Sequence, residues 1–288
     1  MRHGPMGIAR HGTGPRATAA AIVSQVHPVF MLPPVAAAWF GAILATEFSL
    51  LTGGIHSIAI FAAVYTAHVK DGYVDFFIRD EDDNHPLTAN GCGVLLLAAS
   101  IIFFCCLLVL WHLVDWIAVV LTLPGWIIGY FHAPQLDMRP IGATFGYPAG
   151  IALAILGGFY VQVMTIDAVV LAFALVFFLV LGGIKIVDDI QDVTYDQSID
   201  KRTVAVLLSP IYAKRLAGCL MAGGLLFIVL MVILGYFPIS TIVAVVLFAP
   251  LAWLGLRNDP TVGTALLIRS SYVFLAILVV SVWFRPLS

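Results

Sequence analysis

Long apolar stretches run from about residue 27 to near the C-terminus, each ended by a short polar or Gly/Pro-containing segment. A helix needs about 20 mostly apolar residues to cross the hydrocarbon core of a bilayer. Nine stretches reach that order of length: roughly 27–50, 53–70, 92–111, 114–132, 143–163, 167–187, 211–235, 238–256 and 263–284. The second is short and runs into polar sequence. The pattern predicts an all-α, polytopic membrane protein with nine transmembrane helices.

Composition supports the membrane reading. Of the 288 residues 61% are hydrophobic and 10% charged, and the mean hydropathy is +1.04. Soluble domains carry about 25% charged residues. The net charge of −2 comes with no basic domain or stripe, which argues against nucleic-acid binding. Cys92, Cys105, Cys106 and Cys219 show no metal-binding spacing, and most of them sit in apolar runs as small hydrophobes.

Lysine and arginine set the orientation. If the N-terminus is cytoplasmic, 12 of the 14 basic residues fall in inner segments; Arg285 lies outside and Arg269 within the last span. Met1 to Arg16 is basic, rich in Gly and His, and has no compact apolar core of a signal peptide. Residues 1–26 are therefore expected to form a disordered cytoplasmic tail, and 27–288 a single transmembrane domain. Two inner loops are long, at about 70–91 and 188–210, and long loops tend to carry function. They follow spans two and six, which hints at duplicated helical units.

Eleven of the 16 carboxylates lie in these two loops, six between 71 and 83 and five between 188 and 200. Asp71 and Asp75 are four apart; so are Asp188, Asp192, Asp196 and Asp200. On a helix that spacing puts like charges on one face, where they repel. A hard divalent cation would offset the repulsion. Asp80–Asp83 read more simply as a solvated charge run. Mg²⁺ is typically held by one or two carboxylates and completed by water and phosphate oxygens, so a diphosphate substrate is implied. Lys70, Arg139, Lys185, Lys201 and Arg202 are candidates to meet its remaining charge. No phosphate-binding Gly-rich loop ending in Lys-Ser/Thr is present, which disfavours a soluble nucleotide.

At these residues the chain resembles the UbiA superfamily of intramembrane prenyltransferases. The stretch Asp189-Ile-Gln-Asp192-Val-Thr-Tyr-Asp196, followed by Arg202-Thr203, is similar to the family's second Asp-rich motif. Asp71 and Asp75 keep the spacing of its first motif, but Lys70 stands where Asn is usual and Arg79 where the third Asp is usual. Asn84-His85-Pro86-Leu87-Thr88-Ala89-Asn90-Gly91, His27-Pro28, and Tyr130 with Ala133-Pro134 and Arg139 resemble further family segments, the first in shortened form and the last with Asp137 where a basic residue is common.

The resemblance implies nine helices around a central cavity and Mg²⁺-dependent transfer of a polyprenyl group from its diphosphate to a lipophilic acceptor. Asp71, Asp75, Asp192 and Asp196 would be catalytic and, with Asp189, would hold the metal. Lys70, Arg139, Lys185, Lys201, Arg202, Tyr130 and His68 would contact the diphosphate. The active site would face the cytoplasm. The partners would be the two substrates and membrane lipids, with no obligate protein partner evident. Tyr65, Tyr73, Phe76, Tyr147 and Tyr195 are further aromatics that could face a cation, though packing or interfacial anchoring is the ordinary role of each. Two other readings stay open. One is a terpene cyclase on the same scaffold. The other is a transporter, which the clustering of carboxylates at one face, rather than mid-membrane, disfavours.

Overall fold

The computed structural model describes residues 7–284. Its helices are α1 (Pro15–Val23), α2 (Pro28–Leu44), α3 (Leu50–Phe77), α4 (Ala89–Leu113), α5 (Trp116–Phe131), α6 (Pro140–Val163), α7 (Ala168–Gln191), α8 (Val193–Ser198), α9 (Val204–Ile233), α10 (Ile242–Arg257) and α11 (Pro260–Phe284). The architecture is the expected all-helical, polytopic membrane fold. Among the described residues, eight helices are long and apolar enough to cross a membrane, and a ninth span results if α1 and α2, bent by 65°, count as one. The expected first span therefore corresponds to a shorter helix of 17 residues that contains Pro33 and Pro34.

Short polar residues start the helices as their chemistry dictates. Ser49, Thr88, Asp115, Asp167 and Thr203 each accept a hydrogen bond from a backbone N–H in the first turn of the helix that follows. Proline opens α1, α2 and α6, where its missing N–H costs nothing. The helices α2 and α6 then pack with backbone nearly touching. A methyl group at Gly41 would run into the Ile155 carbonyl, and one at Gly158 into the Ala38 carbonyl. Close approach through small residues is how helices associate in lipid, where burying apolar surface offers no gain. The most buried helix is α7, whose Phe173, Val176, Val180 and Ile186 are almost fully enclosed. The outward faces remain apolar, as Leu226 at 68% and Ile233 at 75% exposure show, so the surroundings that suit them are lipid.

Three expectations are corrected. First, Asp71 and Asp75 are not in a loop, because α3 continues through Phe77. Second, α7 likewise carries Asp188 and Asp189, and the segment from Val204 to Pro210 belongs to α9, which kinks at Ser209. Third, residues 7–26 are not a disordered tail. Arg10 N–H donates to the Pro86 carbonyl at 2.8 Å, and Thr88 N–H to the Ile8 carbonyl at 3.0 Å. The Arg10 guanidinium lies 4.2 Å from the centre of the Phe76 ring, and Tyr65 donates to the Ile22 carbonyl at 3.0 Å. Buried Ala9 and Ala21 give this segment its own contact with the core, which repays the entropy of ordering it. Residues 1–6, with Arg2, and residues 285–288, with Arg285, lie outside the described residues.

Candidate active site

Six helices, α2, α3, α5, α6, α7 and α11, enclose a cavity of about 360 Å³. Its wall changes character along α3 and α7. On α3 it runs Ile60, Ala63, Val64 and Ala67, then His68 and Asp71; on α7 it runs Phe177, Val180, Leu181 and Ile184, then Lys185 and Asp188. Spacings of three and four keep one helical face on the cavity throughout. One end is thus lined by two carboxylates, an ammonium and the imidazole of His68, joined by His132 from the turn after α5. The other end is apolar. Along the side, Tyr272 of α11 donates to the Val29 carbonyl of α2.

Of the residues expected at the site, Asp71, Lys185 and His68 line the cavity; Asp75, Asp189, Asp192 and Asp196 do not. Asp75 is bound by Arg79, whose Nη1 is 3.2 Å from Asp75 Oδ1 while Nη2 is 2.7 Å from Asp137 Oδ2. Burial works against the Arg79 charge, but its ion pairs with Asp137 and Asp75 hold its pKa above the ordinary value. Asp189 is buried and pairs with Lys185 Nζ at 2.6 Å; the same ammonium holds Asp188 Oδ2 at 2.8 Å. Asp196 is buried against Lys201 at 3.0 Å. Asp192 is exposed at the end of α7. Partial desolvation of its carboxyl against the helix end, then the neighbouring Asp188 and Asp196 charges, push its pKa upward.

The expected diphosphate contacts are spread more widely than Lys185 alone suggests. The Lys70 ammonium sits 5.1 Å from the centre of the Tyr130 ring, and that ring stacks on Trp126. Arg139 is the exposed residue before α6. Arg202 is exposed, and its backbone N–H donates to the Met138 carbonyl at 3.2 Å. Among the other aromatic candidates, Tyr147 lines the cavity, and Tyr195 donates to Glu81 Oε2 at 2.7 Å. Burial, then that hydrogen bond, push the Tyr195 phenol up to about 12, so it remains a donor at neutral pH. This bond ties the second acidic segment to the first.

Asp188 and His132 are the site residues that the motif reading missed. The four-residue spacing from Asp188 to Asp192 carried the signal for Asp188; the motif register, which starts at Asp189, pointed one residue away. His132 sits where α5 gives way to a π-helical turn, His132–Leu136, and nothing in its local sequence marks it.

The donor set bears on Mg²⁺. Among the described residues no group of three or more His, Cys, Asp or Glu side chains is arranged to cage a metal. Asp71 and Asp188, from two different helices, nevertheless reach one end of one cavity, and Asp192 lies a helical turn beyond Asp188. Two or three carboxylates with open positions fit an ion completed by water and substrate oxygens.

No protein-family model and no curated protein sequence matches the chain. Solved structures do. A structure described as digeranylgeranylglyceryl phosphate synthase in membranes aligns with a TM-score of 0.71 at 17% identity, covering 93% of this chain and 98% of that one. An apo UbiA homologue from Aeropyrum pernix K1 aligns with 0.71 at 16% identity, over 89% and 99% of the two chains. A UbiA homologue from Archaeoglobus fulgidus bound to GPP and Mg²⁺ aligns with 0.65 at 14% identity, over 93% and 99%. The chain therefore has the fold of the UbiA homologues over nearly its whole length.

Proposed function

We propose that this chain is a UbiA-type membrane prenyltransferase, transferring a polyprenyl group such as geranylgeranyl from its diphosphate to a lipophilic acceptor. The observation that carries the reading is the polarised cavity: carboxylates and an ammonium at one end, an apolar bore behind them. A prenyl diphosphate has the same polarity. The Mg²⁺- and GPP-bound homologue of the same fold adds support.

Asp71 and Asp188, with Asp192, are the residues that would hold Mg²⁺. The ion, when bound, would supply charge neutralisation to the diphosphate. In the reaction the bond between the allylic carbon and its diphosphate oxygen breaks, the carbon bonds to the acceptor, and the acceptor loses a proton. Lys185 Nζ, fixed between Asp188 and Asp189, would meet the charge that develops on the departing oxygen. Ile60, Ile151, Phe177 and Phe274 wall the bore and exclude water from the allylic cation, while aromatic faces stabilise it. His68 and His132 line the same end as the carboxylates and are positioned to accept the proton. The excess of basic residues in the segments that share this end orients it toward the cytoplasm.

The test uses purified protein, Mg²⁺ and radiolabelled geranylgeranyl diphosphate, with and without a panel of aromatic and glycerol-lipid acceptors. Acceptor-dependent product is expected, with Asp71→Asn reducing it about 100-fold. Acceptor-independent hydrocarbon would mean cyclisation instead. Absence of diphosphate release under every condition would sink the enzymatic reading.

A further inference from the structure

In the first acidic segment Asp71, Asp75 and Arg79 follow one another at four-residue intervals. The third position of a series that otherwise repeats a carboxylate is thus a cation. Its side chain is enclosed, at 11% exposure, and so is that of its partner Asp137, at 7%. Asp137 comes from the connection between α5 and α6, so the guanidinium joins two carboxylates carried by separate elements. Bridging two carboxylates is also what a divalent ion does. A guanidinium does it permanently, with a planar fork of donors and weaker hydration than an ammonium.

The other acidic positions show who else is already neutralised. Lys185 takes Asp188 and Asp189, and Lys201 takes Asp196. Among the described residues, Asp71 and Asp192 have no cationic side chain within ion-pair distance, and Asp71 faces the cavity while Asp75 does not.

We infer that Arg79 is a built-in counter-ion between Asp75 and Asp137, so that Asp75, tied to it and turned away from the cavity, is not a ligand, and the site takes a single divalent cation among the carboxylates that line the cavity, Asp71 and Asp188. Arg79 is a positioning residue: it holds the end of α3 against the α5–α6 connection. This rests on the transferase reading, because it assigns the cations around that reaction's diphosphate.

The experiment counts metal without requiring turnover. Purified protein in detergent is titrated with Mn²⁺ in the presence of inorganic diphosphate, and bound ion is read by electron paramagnetic resonance. One Mn²⁺ per chain is expected in the wild type and in Asp75→Asn, with affinity at least tenfold weaker in Asp71→Asn. Arg79→Ala, which frees Asp75 and Asp137, is expected to gain a second ion; if that variant does not fold, the wild type and Asp75→Asn still decide. Two ions in the wild type, loss of the ion in Asp75→Asn, or a folded Arg79→Ala that stays at one overturns the inference and leaves the transfer reading intact. No bound ion at all overturns both.

Discussion

At the end of α3 the counter-charge reaches across the molecule, whereas at the end of α7 it comes from the same helix. Arg79 connects Asp75 to Asp137, 62 residues away in sequence by their numbers. Lys185 meets Asp188 and Asp189 at spacings of three and four, and Lys201 closes on Asp196 just after α8. The first arrangement fastens helices to one another; the second makes a self-contained charged tip. Both leave one end of the cavity with carboxylates in place and much of their mutual repulsion removed before any substrate arrives.

That contrast can be broken from either side. Lys185→Met should have the largest effect, because it strands buried Asp189 and leaves Asp188 without its ammonium. A loss of about 3 kcal/mol is expected, at the low end for breaking a buried pair since the Lys185 side chain is 29% exposed. Thermal unfolding in detergent would read it, together with a large drop in transfer. Unchanged stability would mean that the tip is not held by its own charges.

Asp137→Asn should be milder. Arg79 keeps Asp75, and the amide still offers an oxygen to the guanidinium, so about 1–2 kcal/mol is expected. Its signature should be proteolytic or hydrogen-exchange exposure of the α5–α6 connection rather than of α7; exposure of α7 instead would contradict the cross-molecular role. Tyr195→Phe should be smallest. It removes the 2.7 Å bond to Glu81, on an exposed surface, and should cost about 1 kcal/mol or less. A severe loss of transfer in that variant would show that the two segments work only when tied together.

Much of this was legible in the chain. The apolar stretches located the helices, and the four-residue spacing located the acidic faces. What was not legible depends on contacts between distant segments. Spacing alone does not say whether Asp188 or Asp189 faces the cavity; the rotation of α7, set by packing of Phe173, Val176 and Val180, decides it. Arg79 read as a defect in a motif because its second partner, Asp137, lies in another connection. The N-terminal segment read as a tail because Ala9, Arg10 and Tyr65 find their contacts only after α3 and α4 are paired. His132 was invisible for the same reason, since only the unwinding of α5 brings it to the cavity.

The reciprocal glycine contact between α2 and α6 has a consequence for how this bore can be retuned. With Gly41 and Gly158 each pressed on the other helix's backbone, these two helices pack backbone to backbone with no room for a side chain at either position. Room in the bore could come from trimming single side chains on the facing helices, among which Ile60, Phe177 and Phe274 line the cavity. If the proposed transferase reading holds, chain-length preference would be a property that point substitutions on those facing helices dial stepwise.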